Sequence, residues 1–337
     1  MRRIRHLGLM IACLAMAGAA TPRPASGGIG DLVDSIRGRL EPVLLAYDLL
    51  VPPGEEVALK ASLRTGFRLE GIEGKRIRFL FGEELIGQAG TDERGDAAVA
   101  WKAPAEPGDY RITVRVHPED QPKREAADAE LLVVARPSDA RIVIVDLDKT
   151  VVASGFVRVL AGGAKPMPGA GVVLDRLAED HTVAYLTHRP DFLGTSSKQW
   201  LARHRFPSGP VLTSTLGGLL SGSGAYKAER LSALTQTFRN VVVGIGDKIS
   251  DVRAYAENNL RAVLILHVDW SEDDPEDYEE LADELADLPD GIHVVTNWSQ
   301  IADILFHAAT HSKQDMEDRL RAIARDLRVH RADDEDD

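Results

Sequence analysis

Arg141-Ile142-Val143-Ile144-Val145-Asp146-Leu147-Asp148-Lys149-Thr150 sets four consecutive apolar β-forming residues directly before two aspartates. An apolar run of this kind is typical of a strand buried on both faces of a parallel sheet. Ligands of such sheets bind at the carboxyl ends of the strands. A helix cap would explain one aspartate and leave the second without a role. The stretch therefore predicts a chemical site at a strand end.

Further strands and helices alternate around this stretch. The apolar runs 182–186, 241–245 and 262–266 predict strands beside 141–145. Helical patterns lie between and after them, around residues 169–179, 194–204, 227–237 and 249–258. Strands and helices of these lengths indicate an α/β fold with a doubly wound parallel sheet.

The residue types at the predicted strand ends suit phosphoryl transfer. A carboxylate such as Asp146 can attack phosphorus, while a second carboxyl such as Asp148 protonates the leaving oxygen and then deprotonates water. Thr187 follows the second strand and can donate a hydrogen bond to a phosphate oxygen, and Lys227 can hold the phosphate as a point charge. Asp247 and Asp251 follow the third strand, and such hard oxygen ligands suit Mg²⁺.

The order of these residues resembles the four motifs of the haloacid dehalogenase superfamily. The matching positions are Asp146-Leu147-Asp148-Lys149-Thr150, Thr187, Lys227 and Gly246-Asp247-xxx-Asp251. The resemblance implies that Asp146 is the nucleophile and that Asp148 is the acid/base. It implies phosphate binding by Lys227 with Thr150 and Thr187, and a Mg²⁺ site of Asp146, Asp148 through its backbone carbonyl, Asp247 and Asp251. The second acid favours a phosphatase within this superfamily. Lys149 departs from the usual glycine.

A narrower resemblance covers roughly residues 140–305. Three segments are similar to the lipin/LNS2 group, which includes actin-patch phosphatidate phosphatases. They are Leu186-Thr187-His188-Arg189, Gly209-Pro210-Val211-Leu212 and Asp251-Val252-Arg253-Ala254-Tyr255. The resemblance implies phosphatidate or another phospholipid monoester as substrate, with transient membrane contact. His188 and Arg189, with the loop 216–226, are predicted to line the substrate entrance.

The spacing of the motifs predicts an uncapped site. Asp146 to Thr187 is 41 residues, Thr187 to Lys227 is 40 and Lys227 to Asp247 is 20. Each interval holds a crossover helix and loops but no separate cap domain. An open site accepts phosphate on a bulky carrier, whereas small-metabolite sites need a cover to exclude water.

Composition excludes several other classes of protein. The chain has 337 residues, a length that predicts about two domains. Its 40 basic and 53 acidic residues give a formal net charge of -13, which has the wrong sign for a protein that neutralises nucleic-acid phosphates. The single cysteine, Cys13, excludes a disulfide framework.

The N-terminus has the order of a secretory signal peptide. Arg2, Arg3 and Arg5 precede an apolar run from Leu7 to Ala20 that ends in small residues. We expect residues 1–20 to be cleaved and the protein to be exported to the periplasm or the extracellular space. Lipid attachment through Cys13 is the alternative.

Residues 41–136 follow a different pattern from the rest. Val57, Leu59, Ala61 and Leu63 alternate with polar residues, and turn residues separate such runs. This predicts an antiparallel β-sandwich, and the stretch from Gly74 to Tyr110 resembles bacterial immunoglobulin-like modules. No group of titratable residues converges there, so we assign it no chemistry.

The sequence thus divides into five parts: a signal peptide (1–20), a linker with a short helix (21–40), an immunoglobulin-like sandwich (41–136), a haloacid dehalogenase-like phosphatase domain (137–310) and a C-terminal helix with an acidic tail (311–337). The acidic stretch 271–290 is interpreted as a solvated helical face. Two functional alternatives stay open: a non-catalytic phosphatidate-binding module, and a phosphatase for soluble phosphomonoesters.

Overall fold

A computed structural model describes residues 42–65, 69–154, 163–214, 223–271 and 274–335. The predicted signal peptide, Cys13 and the linker with its short helix lie outside these residues. Within the described part, no helix has both the length and the apolar character that crossing a bilayer requires.

The first half of the described chain, which we call the β region (residues 43–135), consists of two β-sheets. Strands β1, β3, β4 and β7 form one sheet, and β2, β9, β8, β5 and β6 form the other in that order. All neighbours are antiparallel except β2 and β9. The strands are β1 (Val43–Ala46), β2 (Leu49–Val51), β3 (Glu56–Thr65), β4 (Glu70–Gly71), β5 (Arg76–Phe81), β6 (Glu84–Gly90), β7 (Asp96–Lys102), β8 (Gly108–Val116) and β9 (Ala129–Ala135).

Alternating apolar residues from both sheets fill one shared core. Leu59 and Leu63 of β3 are buried against Ile112 and Val114 of β8 in the same hydrophobic cluster. This confirms an all-β region before the α/β part. The more specific immunoglobulin-like assignment stays a prediction.

Strand β9 is buried on both of its faces. Leu131 and Val133 point into the core of the β region. Leu132 and Val134 alternate with them and pack into a core that belongs mainly to the second half of the chain. The two halves of the protein are therefore joined by apolar packing.

The second half, the α/β region (residues 141–335), is built on a six-stranded parallel sheet in the order β12-β11-β10-β13-β14-β15. Its strands are β10 (Arg141–Val145), β11 (Thr182–Pro190), β12 (Val211–Ser214), β13 (Asn240–Gly246), β14 (Arg261–Ile265) and β15 (His293–Val295). Its helices are α1 (Ala170–Ala178), α2 (Gly194–Arg203), α3 (Ser223–Thr237), α4 (Ile249–Glu257), α5 (Pro275–Ala286), α6 (Trp298–His307) and α7 (Lys313–Glu335).

Helices cover both faces of this sheet. One hydrophobic core joins the sheet to α3, α4, α5 and α7, and a second joins it to α1, α2 and α6. The predicted doubly wound α/β fold is confirmed. The strand order reverses between β10 and β13, and this is the position where open α/β sheets bind their ligands.

The last helix packs on the α/β region. Met316, Leu320 and Ala324 of α7 are buried in the core that also contains α5. The acidic surface of α5 is paired in part with this helix, since Arg321 contacts Asp283 at 2.8 Å and Arg328 contacts Glu279 at 2.6 Å. Charge on α5 thus helps to hold α7 in place.

Gly244 of β13 allows helix α4 to pack close to the sheet. A Cβ atom at this position would lie 2.3 Å from the ring of Tyr255, which is fully buried. We expect Gly244→Ala to lower the free energy of unfolding by about 1–3 kcal/mol, because overpacking forces the ring or the strand to move. Urea unfolding measures this change. Gly90→Ala is the matched control, since a Cβ there meets nothing within 4 Å. Equal losses in the two variants would contradict the packing argument.

Candidate active site

The predicted site residues lie at the carboxyl edge of the parallel sheet. Asp146 directly follows β10 and Asp247 directly follows β13, the neighbouring strand. Asp251 lies in the first turn of α4 and Lys227 lies in α3. Strand β11 continues to Pro190, beyond the predicted end at 186, so Thr187 lies within this strand.

A tight turn follows Asp146, whose backbone nitrogen still donates to Ile245 of the neighbouring strand β13 at 2.9 Å. The carbonyl of Leu147 accepts hydrogen bonds from the backbone nitrogens of Val151 and Val152. Lys149 has a φ angle of 54°, in the left-handed region where glycine is favoured. Nε2 of His267, at the end of β14, lies 2.6 Å from the carbonyl oxygen of Lys149 and donates to it. Lys149 therefore takes the left-handed backbone conformation of the turn although it is not a glycine.

Asp146 and Asp251, which are buried, form an acidic cluster with the half-buried Asp247. One carboxylate oxygen from each lies within 4.8 Å of the other two. Lys227, which is 1% exposed, donates from Nζ to Asp146 at 2.7 Å and to Asp251 at 2.5 Å. The structure therefore brings together four of the residues that the sequence selected.

Burial governs the electrostatics of this cluster. It raises the pKa of Asp146, and the charge of Asp251 adds to the effect while the Lys227 ammonium opposes it. Burial together with the charge of Asp146 raises the pKa of Asp247 to about 7. Burial also works against the charge of Lys227, but the negative charges beside it outweigh burial and raise its pKa well above the usual value. Lys227 is thus a permanent cation among crowded carboxylates.

The donor set fits a divalent cation. Three carboxylates and one ammonium leave a formal charge of -2 in a buried space. Oδ1 of Asp247 is buried and has no hydrogen-bond partner among the described residues. An unpartnered carboxylate oxygen in the interior is costly unless a ligand meets it. Carboxylate oxygens are the ligands that Mg²⁺ prefers.

Asp148 is not one of the three carboxylates of this cluster, and it binds an arginine. Nε of Arg189 donates to its Oδ2 at 2.9 Å, and Nη2 donates to its Oδ1 at 2.7 Å. This two-bond contact fixes the plane of the carboxylate as well as its distance. Nη1 of Arg189 donates to Oγ of Ser197 in α2 at 2.9 Å, so the guanidinium is itself held.

The two predicted threonines are both buried, Thr150 two residues after Asp148 and Thr187 two residues before Arg189. Oγ1 of Thr150 has no hydrogen-bond partner within the described part of the chain. Oγ1 of Thr187 accepts a hydrogen bond from the backbone nitrogen of Arg189 at 3.3 Å. Among the described residues no acceptor bonds to this hydroxyl, which can therefore donate to a phosphate oxygen.

The two predicted entrance residues differ in their surroundings. His188 is half-buried, and its ring centroid lies 5.9 Å from that of Tyr226. Arg189 is only 3% exposed and binds Asp148, so the structure shows it as part of the interior and not as part of an open rim. Residues 216–222, most of the predicted entrance loop 216–226, lie outside the described residues.

Two residues that orient the site, Ser197 and His267, were not predicted from the sequence. Ser197 and His267 contact Arg189 and the Lys149 turn, respectively. Neither belongs to a recognisable motif. His267 follows a predicted strand, and that position at the sheet edge was the one signal that could have selected it.

A comparison with protein families locates the same segment. Residues 143–269 match the family model described as the LNS2 domain of PITM 1-3. This is somewhat over a third of the chain, and it includes every predicted catalytic, phosphate-binding and metal residue. The match confirms the LNS2 part of the predicted resemblance and supports a phosphatase of the haloacid dehalogenase type. A comparison with curated protein sequences gives no match.

Solved structures show only distant similarity. The chain aligns with the core domain of a candidate phosphoglycolate phosphatase from Streptococcus pneumoniae TIGR4 at 20% identity, over 49% of this chain and 95% of that one, with a TM-score of 0.29. It aligns with the D00-D0 domain of intimin at 14% identity, over 29% of this chain, with a TM-score of 0.23. This alignment spans about half, 48%, of the intimin structure. At these scores neither similarity bears on the function of this chain.

Proposed function

We propose that this protein is a Mg²⁺-dependent phosphomonoester hydrolase that acts through an aspartyl phosphate on Asp146, with phosphatidate or a related phospholipid monoester as its substrate. One observation carries the proposal. Two aspartates that follow the same strand have separate cationic partners, Lys227 for Asp146 and Arg189 for Asp148. A nucleophile and an acid/base need such separate environments, because they do different tasks in one reaction.

The first chemical step uses Asp146 as the nucleophile. Its carboxylate attacks phosphorus, and the bond from phosphorus to the ester oxygen breaks. Lys227 stabilises the negative charge on the carboxylate and the phosphoryl oxygens, and the hydroxyls of Thr150 and Thr187 donate to those oxygens. Mg²⁺ held by Asp146, Asp247 and Asp251 would neutralise charge on the transferring phosphoryl group.

Asp148 moves the protons. It gives a proton to the leaving alkoxide in the first step, and it takes a proton from the water that hydrolyses the aspartyl phosphate in the second step. Both oxygens of the ionised Asp148 carboxylate accept from Arg189, which orients the side chain; to carry a proton, Asp148 releases one of these hydrogen bonds and keeps the other.

The connections around the site favour a substrate with a bulky carrier. Between β10 and β11 the described chain contains one helix, α1, and only residues 155–162 of this connection lie outside the described part. Eight residues are too few for a domain that would cover the site. This supports an open site, which suits a phosphate group presented on a lipid surface.

A phosphate-release assay tests the proposal. The full chain is incubated with Mg²⁺ and either phosphatidate vesicles or soluble phosphomonoesters such as glycerol 3-phosphate. We expect release from the vesicles to be faster at equal phosphate concentration. Faster release from the soluble esters would contradict the lipid assignment, and vesicle binding without any release would favour the non-catalytic phosphatidate-binding module.

Removal of divalent cations should abolish the activity. We expect phosphate release to stop in EDTA and to return when Mg²⁺ is added in excess. Asp247→Asn should raise the Mg²⁺ concentration for half-maximal release by about tenfold or more, since it removes one charged ligand. Asp175→Asn, an exposed aspartate on α1, is the control and should behave as wild type. Undiminished release in EDTA would contradict the metal requirement.

We also propose that the protein is exported, on the basis of the basic, apolar and small-residue order of residues 1–20. Mass spectrometry of protein expressed in bacterial cells tests this. The expected result is a periplasmic or secreted chain that lacks about the first 20 residues. An uncleaved chain in the cytoplasm would contradict it.

A further inference from the structure

The β region contacts the α/β region close to Arg189. Tyr47, between β1 and β2, donates from its hydroxyl to Oδ2 of Asp191 at 2.9 Å. Asp191 lies two residues after Arg189, and its side chain is fully buried. Tyr47 is held in turn by Ser62 of β3, at 2.8 Å between the hydroxyl oxygens. Tyr47 of the β region therefore holds the backbone segment that directly follows Arg189.

Asp48 makes the second and third contacts. Its Oδ1 accepts from Nζ of Lys198 in α2 at 2.6 Å, and its Oδ2 accepts from the backbone nitrogen of Val211 in β12 at 2.9 Å. Oδ1 also accepts from the backbone nitrogen of Leu132 in β9 at 2.7 Å. The side chain of Asp48 is fully buried. One carboxylate thus joins both regions of the protein.

The residues that Tyr47 and Asp48 bind lie on the elements that surround Arg189. Lys198 directly follows Ser197, the residue that accepts from Nη1 of Arg189. Val211 begins the strand that pairs with β11, where Arg189 lies. Leu132 and Val134 of β9 pack in the same core as Leu186 of β11. The β region therefore contacts three elements around Arg189: β11, which carries it, α2, which carries its partner Ser197, and β12, which pairs with β11.

We infer that the β region is a positioning element of the catalytic site: Tyr47 and Asp48 hold Asp191, Lys198 and Val211, and thereby set the angle of Arg189 and of the Asp148 carboxyl that it binds. This inference rests on the proposed function, because it assigns Asp148 the acid/base role. Tyr47 and Asp48 are positioning residues and do not touch the reacting atoms.

The contact between Arg189 and Asp148 is sensitive to such positioning. Two parallel hydrogen bonds form only when the guanidinium and the carboxylate share a plane. A displacement of about 1 Å in a catalytic group can cost on the order of 100-fold in rate. Small shifts of β11 or α2 would therefore impair proton transfer by Asp148 and leave the cluster around Lys227 intact.

A leaving-group comparison tests the inference on the full chain. The kcat/KM is measured for short-chain phosphatidate, whose alkoxide must be protonated as it leaves, and for p-nitrophenyl phosphate, whose phenolate leaves without a proton. We expect Tyr47→Phe to lower kcat/KM for the alkyl ester about tenfold and to change the aryl ester less than about threefold. Asp48→Asn should show the same selectivity, since it weakens the bond to Lys198 while Tyr47 remains.

Tyr110→Phe is the matched control. Its hydroxyl donates to the carbonyl of Glu106 within the β region, at 2.6 Å. We expect both esters to be hydrolysed by this variant as by wild type. Equal losses for the two esters in Tyr47→Phe and Asp48→Asn, or no loss for either, would overturn the inference.

Hydrogen exchange supplies a readout that does not need activity. We expect faster amide exchange over residues 189–198 in Tyr47→Phe than in Tyr110→Phe, because Asp191 loses its hydroxyl donor. Unchanged exchange there would overturn the positioning role even if wild type hydrolyses both esters. Wild type that hydrolyses neither ester would contradict the proposed function, and faster exchange would then still support the contact between the two regions.

Discussion

Asp146→Asn is expected to lower the rate of phosphate release by a factor of about 10⁴ or more. An amide cannot attack phosphorus as a carboxylate does, so the step that forms the covalent intermediate is lost. The variant should still fold, because asparagine has nearly the same shape and its amide oxygen can accept the hydrogen bond from Lys227, which measures 2.7 Å to Asp146 in the structure. The loss is therefore chemical and not a loss of structure.

Steady-state phosphate release with Mg²⁺ measures this effect, and circular dichroism checks the fold. Asp175→Asn, which changes an exposed aspartate in the same region, should retain wild-type activity. Release by Asp146→Asn within about tenfold of wild type would rule out Asp146 as the nucleophile.

Lys227→Met is expected to reduce the free energy of unfolding by about 3–5 kcal/mol and to abolish phosphate release. Methionine nearly preserves the volume of lysine, so packing accounts for little of this loss. The cost arises because Asp146 and Asp251, which are 4% and 0% exposed, lose the one cation among the described residues that contacts both. Buried charges without a partner are among the most destabilising changes in proteins.

Urea unfolding in EDTA is the appropriate measurement, since added Mg²⁺ would replace part of the missing positive charge. Lys165→Met removes an exposed lysine and should change stability by less than about 0.5 kcal/mol. A loss in Lys227→Met no larger than in this control would show that the ammonium does not neutralise the acidic cluster.

The sequence predicted the centre of the α/β region because its signals are local. Four apolar residues before Asp146 identify a buried strand without knowledge of its neighbours, and the strand end then places the aspartates. The same rule places Asp247 after β13. Two strands of the sheet were not predicted as strands, β12 and β15, because four and three residues are too few for a periodic pattern to show.

The partner of Asp148 could not be predicted for a different reason. Arg189 was predicted to line the substrate entrance, together with His188 and the loop 216–226. The structure shows that the chain folds its guanidinium inward, where Asp148, 41 residues earlier, and Ser197 bind it. Periodicity indicates which face of a strand a side chain occupies, but the partner that a charged side chain binds depends on the packing of distant parts of the chain.

The contacts between the β region and the α/β region join residues that are even farther apart in the sequence. Tyr47 and Asp191 are 144 residues apart, and Asp48 and Lys198 are 150 apart. No chemical role was predicted for the β region, because no group of titratable residues converges within its own sequence. The proposed role of the β region in positioning Arg189 depends on the packing of β9 against the α/β region, which only the structure shows.

The central claim is that Asp146 becomes phosphorylated during turnover, and chemical trapping tests it most directly. The full chain is mixed with Mg²⁺ and short-chain phosphatidate, quenched in acid during turnover and reduced with borohydride, which converts an aspartyl phosphate into homoserine. We predict homoserine at position 146 in the digested wild-type protein, and unmodified aspartate at position 148. Homoserine at another aspartate, or turnover without any trapped residue, would contradict the account.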